Sequence, residues 1–403
     1  MPKDKRSDAA QIENAPSQEA EQIEAVVELT EKQLQHRYAK ALPFLRGVHA
    51  KDHGCVDATF TVVKDLPPQY HVGVFKNPGR QYRAEIRFSN ADPLVMEDSF
   101  LVPDPKSGTK QIQHGSRGMA VKLHGVHGER LAEDGADTQD FLMINQPVFA
   151  FANVEDYKAL SEAIVAAQQK NDPKETPMAF FARLQNPDPK IQERAKRTMG
   201  IIARIRSNLT AVPSPPPSQP VPLAFQPPPL SPLDNRYFTA APFMFGKGRV
   251  AKFSAKPVAP VSGVLGDEVS DRNYLRTALN KRLTAAKDDI EFEFQVQVRD
   301  IESIEDVDKD IEDACTLWDE EKFPFVTVAR ISIPPQDVNA RKEACERLVF
   351  TPWHGLADHK PIGGINRLRR AVYERSAQLR GCPAGAAAGE TGKGPPEGVG
   401  PRS

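Results

Sequence analysis

Ile290-Glu291-Phe292-Glu293-Phe294-Gln295-Val296-Gln297-Val298 decides the fold. Its apolar residues alternate with polar ones at every step, the two-residue period of a strand with one buried face. Similar runs flank it, from Arg249 to Ser254 before and from Phe325 to Ile333 after. In the first half of the chain, Ala58-Thr59-Phe60-Thr61-Val62, Ala84 to Phe88, Met119 to Leu123 and Phe141 to Ile144 are short and rich in β-branched and aromatic residues. Turn signals at Asn77-Pro78-Gly79 and Gly125 separate them. Four strands, a helical excursion, three or four further strands and a last helix predict an α+β fold. The architecture expected is a closed antiparallel β-barrel of about eight strands with helices packed outside it. A barrel of that size is filled by side chains or holds one ligand near its mouth.

The helical segments show a different period. Ile23, Val26, Val27, Thr30 and Leu34 share one face, as do Leu160, Ile164 and Ala167 in an insertion over about residues 154–209. Leu275, Leu279 and Leu283 mark a helix between two strands, and Ile365, Leu368 and Val372 mark the last one. Residues 213–232, PSPPPSQPVPLAFQPPPLSP, form a proline-rich connection read as a polyproline II spacer rather than an SH3-type ligand. The domain is expected over 20–381, with disordered ends at 1–19 and 382–403.

With 53 basic and 54 acidic residues the net charge is −1, which argues against a nucleic-acid partner or a basic membrane-surface role. The charged N-terminus does not read as a signal peptide, and no apolar stretch is long enough to predict a membrane span. Cys55, Cys315, Cys345 and Cys382 are far apart, so they read as reduced thiols and suggest a cytoplasmic location. The chain has no P-loop, no dinucleotide-binding glycine motif, no HExxH and no paired-cysteine zinc site. His124 and His127 flank a turn and are expected in solvent, whereas His354 and His359 are expected to anchor the last helix.

One set of segments carries more information. Leu45-Arg46-Gly47-Val48-His49-Ala50-Lys51 is followed by Ile86-Arg87-Phe88-Ser89-Asn90, Ser116-Arg117-Gly118-Met119-Ala120-Val121-Lys122 and Asn145-Gln146-Pro147-Val148-Phe149. In this order and spacing they resemble the catalase superfamily, well over about residues 40–160 and weakly over 230–335. The match looks nearest to a short, divergent heme-protein branch, with allene oxide synthases as distant relatives. The resemblance implies heme b and a reaction with hydrogen peroxide or an organic hydroperoxide. His49 corresponds to the distal histidine, whose imidazole suits proton transfer near neutral pH. Ser89 corresponds to the hydroxyl that orients it. Asn145 lies near the distal amide that polarises peroxide, although counting back from Pro147 places that position on Ile144. Arg46 and Arg87 correspond to arginines that hold heme propionates, and Phe149 and Tyr157 to aromatics on the porphyrin face. Arg117 is expected to buttress the barrel.

The proximal side departs from the pattern. Catalases bind iron through a tyrosinate in an Arg-x-Phe-Ser-Tyr motif, with a second Arg one or two turns later. Aligned on Arg236 and Phe238, that position holds Ala240, which cannot bind iron, and Tyr237 is the expected substitute ligand. Two alternatives follow: a lipid hydroperoxide isomerase or peroxygenase, and a non-enzymatic heme- or ligand-binding protein on the same scaffold. Relatives suggest a homo-oligomer, for which this sequence offers no interface signature.

Overall fold

The computed structural model describes residues 12–38, 46–92, 95, 97–103, 110–170, 182–206, 230–261, 271 and 273–382. Helix α1 (Glu19–Tyr38) precedes the first six strands. These are β1 (Asp52–Val62), β2 (Gln81–Asn90), β3 (Ser99–Pro103), β4 (Lys110–His114), β5 (Arg117–His124) and β6 (Thr138–Ile144). Helices α2 (Val154–Lys170) and α3 (Pro189–Arg206) form the insertion. The chain continues through β7 (Tyr237–Phe238), β8 (Phe243–Met244), β9 (Arg249–Pro257), α4 (Tyr274–Ala285), β10 (Ile290–Asp300) and β11 (Phe325–Ile333). Helices α5 (Lys342–Arg347) and α6 (Gly364–Leu379) end it.

Eight strands close into a barrel in the order β10-β11-β1-β2-β5-β6-β7-β9, with β9 returning to β10. Every pairing in this ring is antiparallel. The α+β barrel expected from the alternating runs is therefore present. β8 extends the sheet beside β9, and β3 pairs with β4 as a separate hairpin.

The period of two sets what lies inside. Phe60, Phe88, Phe141, Phe253, Phe292 and Phe294 are all buried in one core. Phe141 packs at 4.8 Å from Phe294 and 5.0 Å from Phe253, and Phe75 stacks at 6.1 Å on Phe294. Such ring pairs fill the lumen and fix its geometry. His359 plugs one end, accepting from the Val74 amide at 3.2 Å with its ring 5.4 Å from Phe75. His354 is pinned between Asp140 (3.1 Å) and Asp134 (2.7 Å), tying the loop before α6 to β6. His127 is exposed, but His124 pairs with Glu85 at 2.8 Å instead of standing free.

Outside the barrel, α6 is tethered at its start. Arg367 lies within hydrogen-bond reach of Glu13, Glu19 and Glu312, and the Gly363 and Gly364 amides donate to Glu13 and Glu312. Carboxylates at a helix N-terminus meet its unpaired amides and dipole. Ile12 is fully buried beside Trp318 and Ile362, so the packed core reaches back to residue 12; residues 1–11 lie outside the described residues, as do 213–229 and 383–403.

The cysteine expectation needs correcting. Cys55 on β1 and Cys345 on α5 form a disulfide across 290 residues of sequence, leaving Cys315 and Cys382 free. No helix among the described residues is long and apolar enough to cross a membrane. Replacing Phe294 by Ala empties the centre of the ring cluster and is expected to cost about 3–5 kcal/mol. A chemical-denaturation midpoint that does not move would show that the lumen is not close-packed.

Candidate functional site

On β2, Tyr82, Ala84, Ile86 and Phe88 point into the barrel, so Arg87 and Ser89 point out. Between that outer wall and α6 lies a cleft partly open to solvent. Val48, Met119, Leu142, Met143 and Phe350 give it apolar walls.

His49 enters from the segment before β1. Its backbone adopts φ 53°, a left-handed conformation uncommon outside glycine, which turns the ring back onto the wall. The Ser89 hydroxyl meets Nδ1 at 3.0 Å. Gly118 pairs with Ser89 across β2 and β5, and a Cβ there would lie 2.6 Å from His49 Cε1 and 2.7 Å from Ser89 Oγ. The Arg-Gly step is thus the space into which the imidazole fits. Burial first, then Arg87, Arg369 and Arg46, push the His49 pKa down to about 3. The ring is neutral at physiological pH and has a lone pair for a proton.

Three guanidiniums line the same cleft. Arg46 is 7% exposed and donates from Nη2 to the carbonyls of Cys345 (3.0 Å) and Leu348 (2.7 Å), while Nη1 has no partner. Arg87 is 3% exposed, and its Nε and Nη2 have none. Arg380 donates to the Glu346 carbonyl at 2.8 Å, with Nε unpartnered. Burial lowers all three pKa values, with mutual repulsion adding to it in Arg46 and Arg380. Unpaired N–H donors on buried cations are costly, and an anionic ligand would relieve that cost.

Tyr373 lines the cleft from α6. Arg369, one helical turn earlier, lies 5.7 Å from its ring centroid. Ser376, on the same helix, accepts from the Gly47 amide at 2.9 Å and holds the His49 segment against α6.

The expected site residues divide into two groups. His49, Ser89, Arg46 and Arg87 come together at the cleft. Asn145 does not line it: its side chain accepts from the Arg117 amide at 2.7 Å and donates to Asn235 at 3.1 Å, joining β5 to the segment before β7. Tyr237 does not reach it either. That ring lies in the barrel core 6.1 Å from Phe88, and its hydroxyl donates to the Pro232 carbonyl at 2.7 Å. Burial raises the Tyr237 pKa far above its usual value, so no phenolate forms there. Phe149 and Tyr157 stack on each other at 6.2 Å among side chains of α1, α2 and α6, in the cluster that includes Val48 but not themselves in the cleft lining. Arg117 does buttress the barrel, donating to Asn90 at 2.6 Å.

Tyr373, Arg369 and Arg380 escaped the sequence reading. Arg369 and Tyr373 have the spacing of the Arg and Tyr in Arg-x-Phe-Ser-Tyr, and Arg380 follows two turns later. That signal sits on the last helix, far downstream of the segment around Arg236 where it was sought.

Three solved structures share this architecture. A fungal catalase superposes with TM-score 0.58 at 15% identity, covering 89% of this chain and 62% of its own. Catalase A from Saccharomyces cerevisiae gives 0.57 and 15%, covering 87% and 63%. A bacterial catalase gives 0.57 and 16%, covering 88% and 60%. The fold is catalase-like. The catalase-like chain spans 60–63% of the length of these structures. No family model matches its sequence, and no curated protein is significantly similar to it.

The buried histidines predict acid sensitivity. His49 and His359 are lowered to about 3 and His53 and His114 to about 4, all by burial first. Below pH ~6.5 the unfolded chain takes up protons at these rings while the folded chain does not, so stability falls as the pH drops. Thermal melts are expected to show a Tm that declines steadily from about pH 6.5 to 4. A flat Tm across that window would mean that the rings are charged in the folded state.

Proposed function

We propose that the chain binds heme b and uses it to react with a hydroperoxide. The observation that carries this reading is one cleft that gathers a neutral, oriented imidazole, a tyrosine with an arginine one turn away, and buried arginines with unmatched donors. The residues fit the group. Arg46, Arg87 and Arg380 would take the propionates, their guanidinium donors matching carboxylate oxygens. Tyr373, in place of Tyr237, would supply the phenolate to iron, with Arg369 one helical turn away beside its ring. The catalase fold supports the reading at the level of the scaffold.

When bound, heme would supply an iron centre that accepts an oxygen atom from the peroxide. The rest falls to the chain. His49 takes a proton from the incoming hydroperoxide and returns it to the departing oxygen. Ser89 keeps the ring in register for both transfers, and Gly118 leaves room for it.

Hemin titration tests this reading. Wild-type protein is expected to develop a Soret band with one equivalent bound. Tyr373→Phe should weaken binding and alter the charge-transfer bands, whereas Tyr237→Phe should leave the spectrum unchanged and cost about 1 kcal/mol of stability through one lost hydrogen bond. No Soret band, or equal spectra for wild type and Tyr373→Phe, would end the assignment.

The substrate reading follows from what lines the cleft. The Asn145 amide is engaged elsewhere, and Val48, Met119, Leu142, Met143 and Phe350 are apolar. Without an amide to polarise it, hydrogen peroxide is held poorly, while an alkyl chain gains contact area. An organic hydroperoxide, isomerised or used to oxygenate, is therefore favoured over dismutation. Oxygen evolution from hydrogen peroxide is expected to be slow beside consumption of a fatty-acid hydroperoxide, followed at its diene absorbance. The reverse ranking would restore a catalase-type reaction, and loss of neither substrate would leave a heme-carrying role.

A further inference from the structure

We propose that the Cys55–Cys345 disulfide is a redox clamp on the anion-binding end of the cleft. Its position makes the connection. Cys55 stands directly across β1 and β2 from Arg87. Cys345 lies in α5, whose carbonyl end holds the other two arginines: Cys345 and Leu348 accept from Arg46, and Glu346 accepts from Arg380. Phe350, a little further along, is one wall of the cleft. The bridge therefore fixes to the barrel the one segment that orients Arg46 and Arg380.

Within α5 the bridge is the buried anchor; just outside it, Arg341 pairs with Asp57 and Glu85, and Leu348, Val349 and Phe350 are buried. α5 has six residues, too few for a helix to persist on its own. Lys342, Glu343, Ala344 and Arg347 are exposed, and Cys345 is the buried side chain of the helix. The carbonyls that hold the arginines also carry the partial negative charge of a helix C-terminus, a fixed counter-charge that moves with α5.

The step is a two-electron exchange with a dithiol. One thiolate attacks a bridge sulfur and breaks the Cys55–Cys345 bond, and the second displaces the mixed disulfide. The dithiol leaves oxidised, and the two cysteines take up the electrons and two protons. The reverse consumes one hydroperoxide. A cysteine thiolate attacks the terminal oxygen and breaks the O–O bond, the other oxygen leaving as the alcohol, or as water from hydrogen peroxide; the other cysteine then attacks the resulting sulfenic acid and forms the disulfide with loss of water. The clamp thus closes under the oxidant that the proposed function uses, and its ligand rests on that reading of the cleft.

The test separates the two ideas. The probe is protoporphyrin IX, which keeps both carboxylates and lacks iron, followed by quenching of tryptophan fluorescence; its dimethyl ester is the uncharged control. With the bridge closed, protoporphyrin should bind roughly tenfold more tightly than after treatment with dithiothreitol, since charge-assisted contacts of the arginines are lost. The ester should not respond. Cys55→Ala combined with Cys345→Ala should bind like the reduced protein and ignore the reductant. Arg46→Ala should be weak in both redox states. Equal affinity in the two states, with Arg46→Ala still weakened, would overturn the clamp and leave the heme reading intact. Should no porphyrin bind in any state, the heme reading fails, and hydrogen exchange then decides the clamp: faster exchange at residues 345–350 on reduction, with the strands still protected, supports it, and unchanged exchange overturns it. If the double variant does not fold, the wild-type arms with and without dithiothreitol decide alone.

Discussion

The carbonyl oxygens at the end of α5 hold Arg46 and Arg380 at the wall of the cleft, and the chemistry proposed for this protein depends on that contact. A guanidinium removed from water needs acceptors for its donors, and these two receive only part of what they need from the chain. The shortfall gives the site its character. Fully satisfied arginines would make a structural knot, and solvated ones would attract any anion weakly. Half-satisfied, with Arg46 buried and Arg380 half-buried, they favour a ligand whose carboxylates arrive with the right geometry.

The barrel makes this possible by being full. Its lumen is occupied by stacked phenylalanines, with His359 closing one end, so the outer wall is what remains for a site. Strand alternation then does the sorting. On β2 alone, Ile86 and Phe88 anchor the wall from inside while Arg87 and Ser89 are presented outside, at positions as fixed as the core behind them. His49 is the exception that needed a strained backbone, and the glycine opposite Ser89 is what accommodates it.

Much of this was written plainly in the chain. One alternating run and six short runs compatible with strands, four of them marked by β-branched and aromatic residues, gave seven of the eight barrel strands; the two-residue β7 is too short to show a pattern. His49, Ser89, Arg46 and Arg87 lie in contiguous motifs and were legible as such. The proximal side was not. Arg236-Tyr237-Phe238 imitates the expected motif locally, yet Tyr237 and Phe238 form the short barrel strand between β6 and β9, with the tyrosine turned inward. Arg369 and Tyr373 carry only a spacing, shared by any pair on one helical face, and helix packing alone tells them apart. Asn145 was off register because its position one residue past β6 sends the amide into the strand junction. The bridge joins residues 290 apart, a closeness that only the closed sheet creates, and it removes the premise on which a reducing compartment was inferred.

Arg367 carries a last consequence. It gathers Glu13 and Glu19 from early in the sequence with Glu312 from far along it, and all three meet at the start of the helix that carries Tyr373, with Arg380 just past its end. Composition would place the domain's edge near residue 20, because what precedes it is polar and aperiodic. Electrostatics places it earlier. A recombinant fragment trimmed at the compositional edge would discard two of three counter-charges and strand the third beside a lone cation, loosening the far wall of the cleft from a point about 350 residues away in sequence.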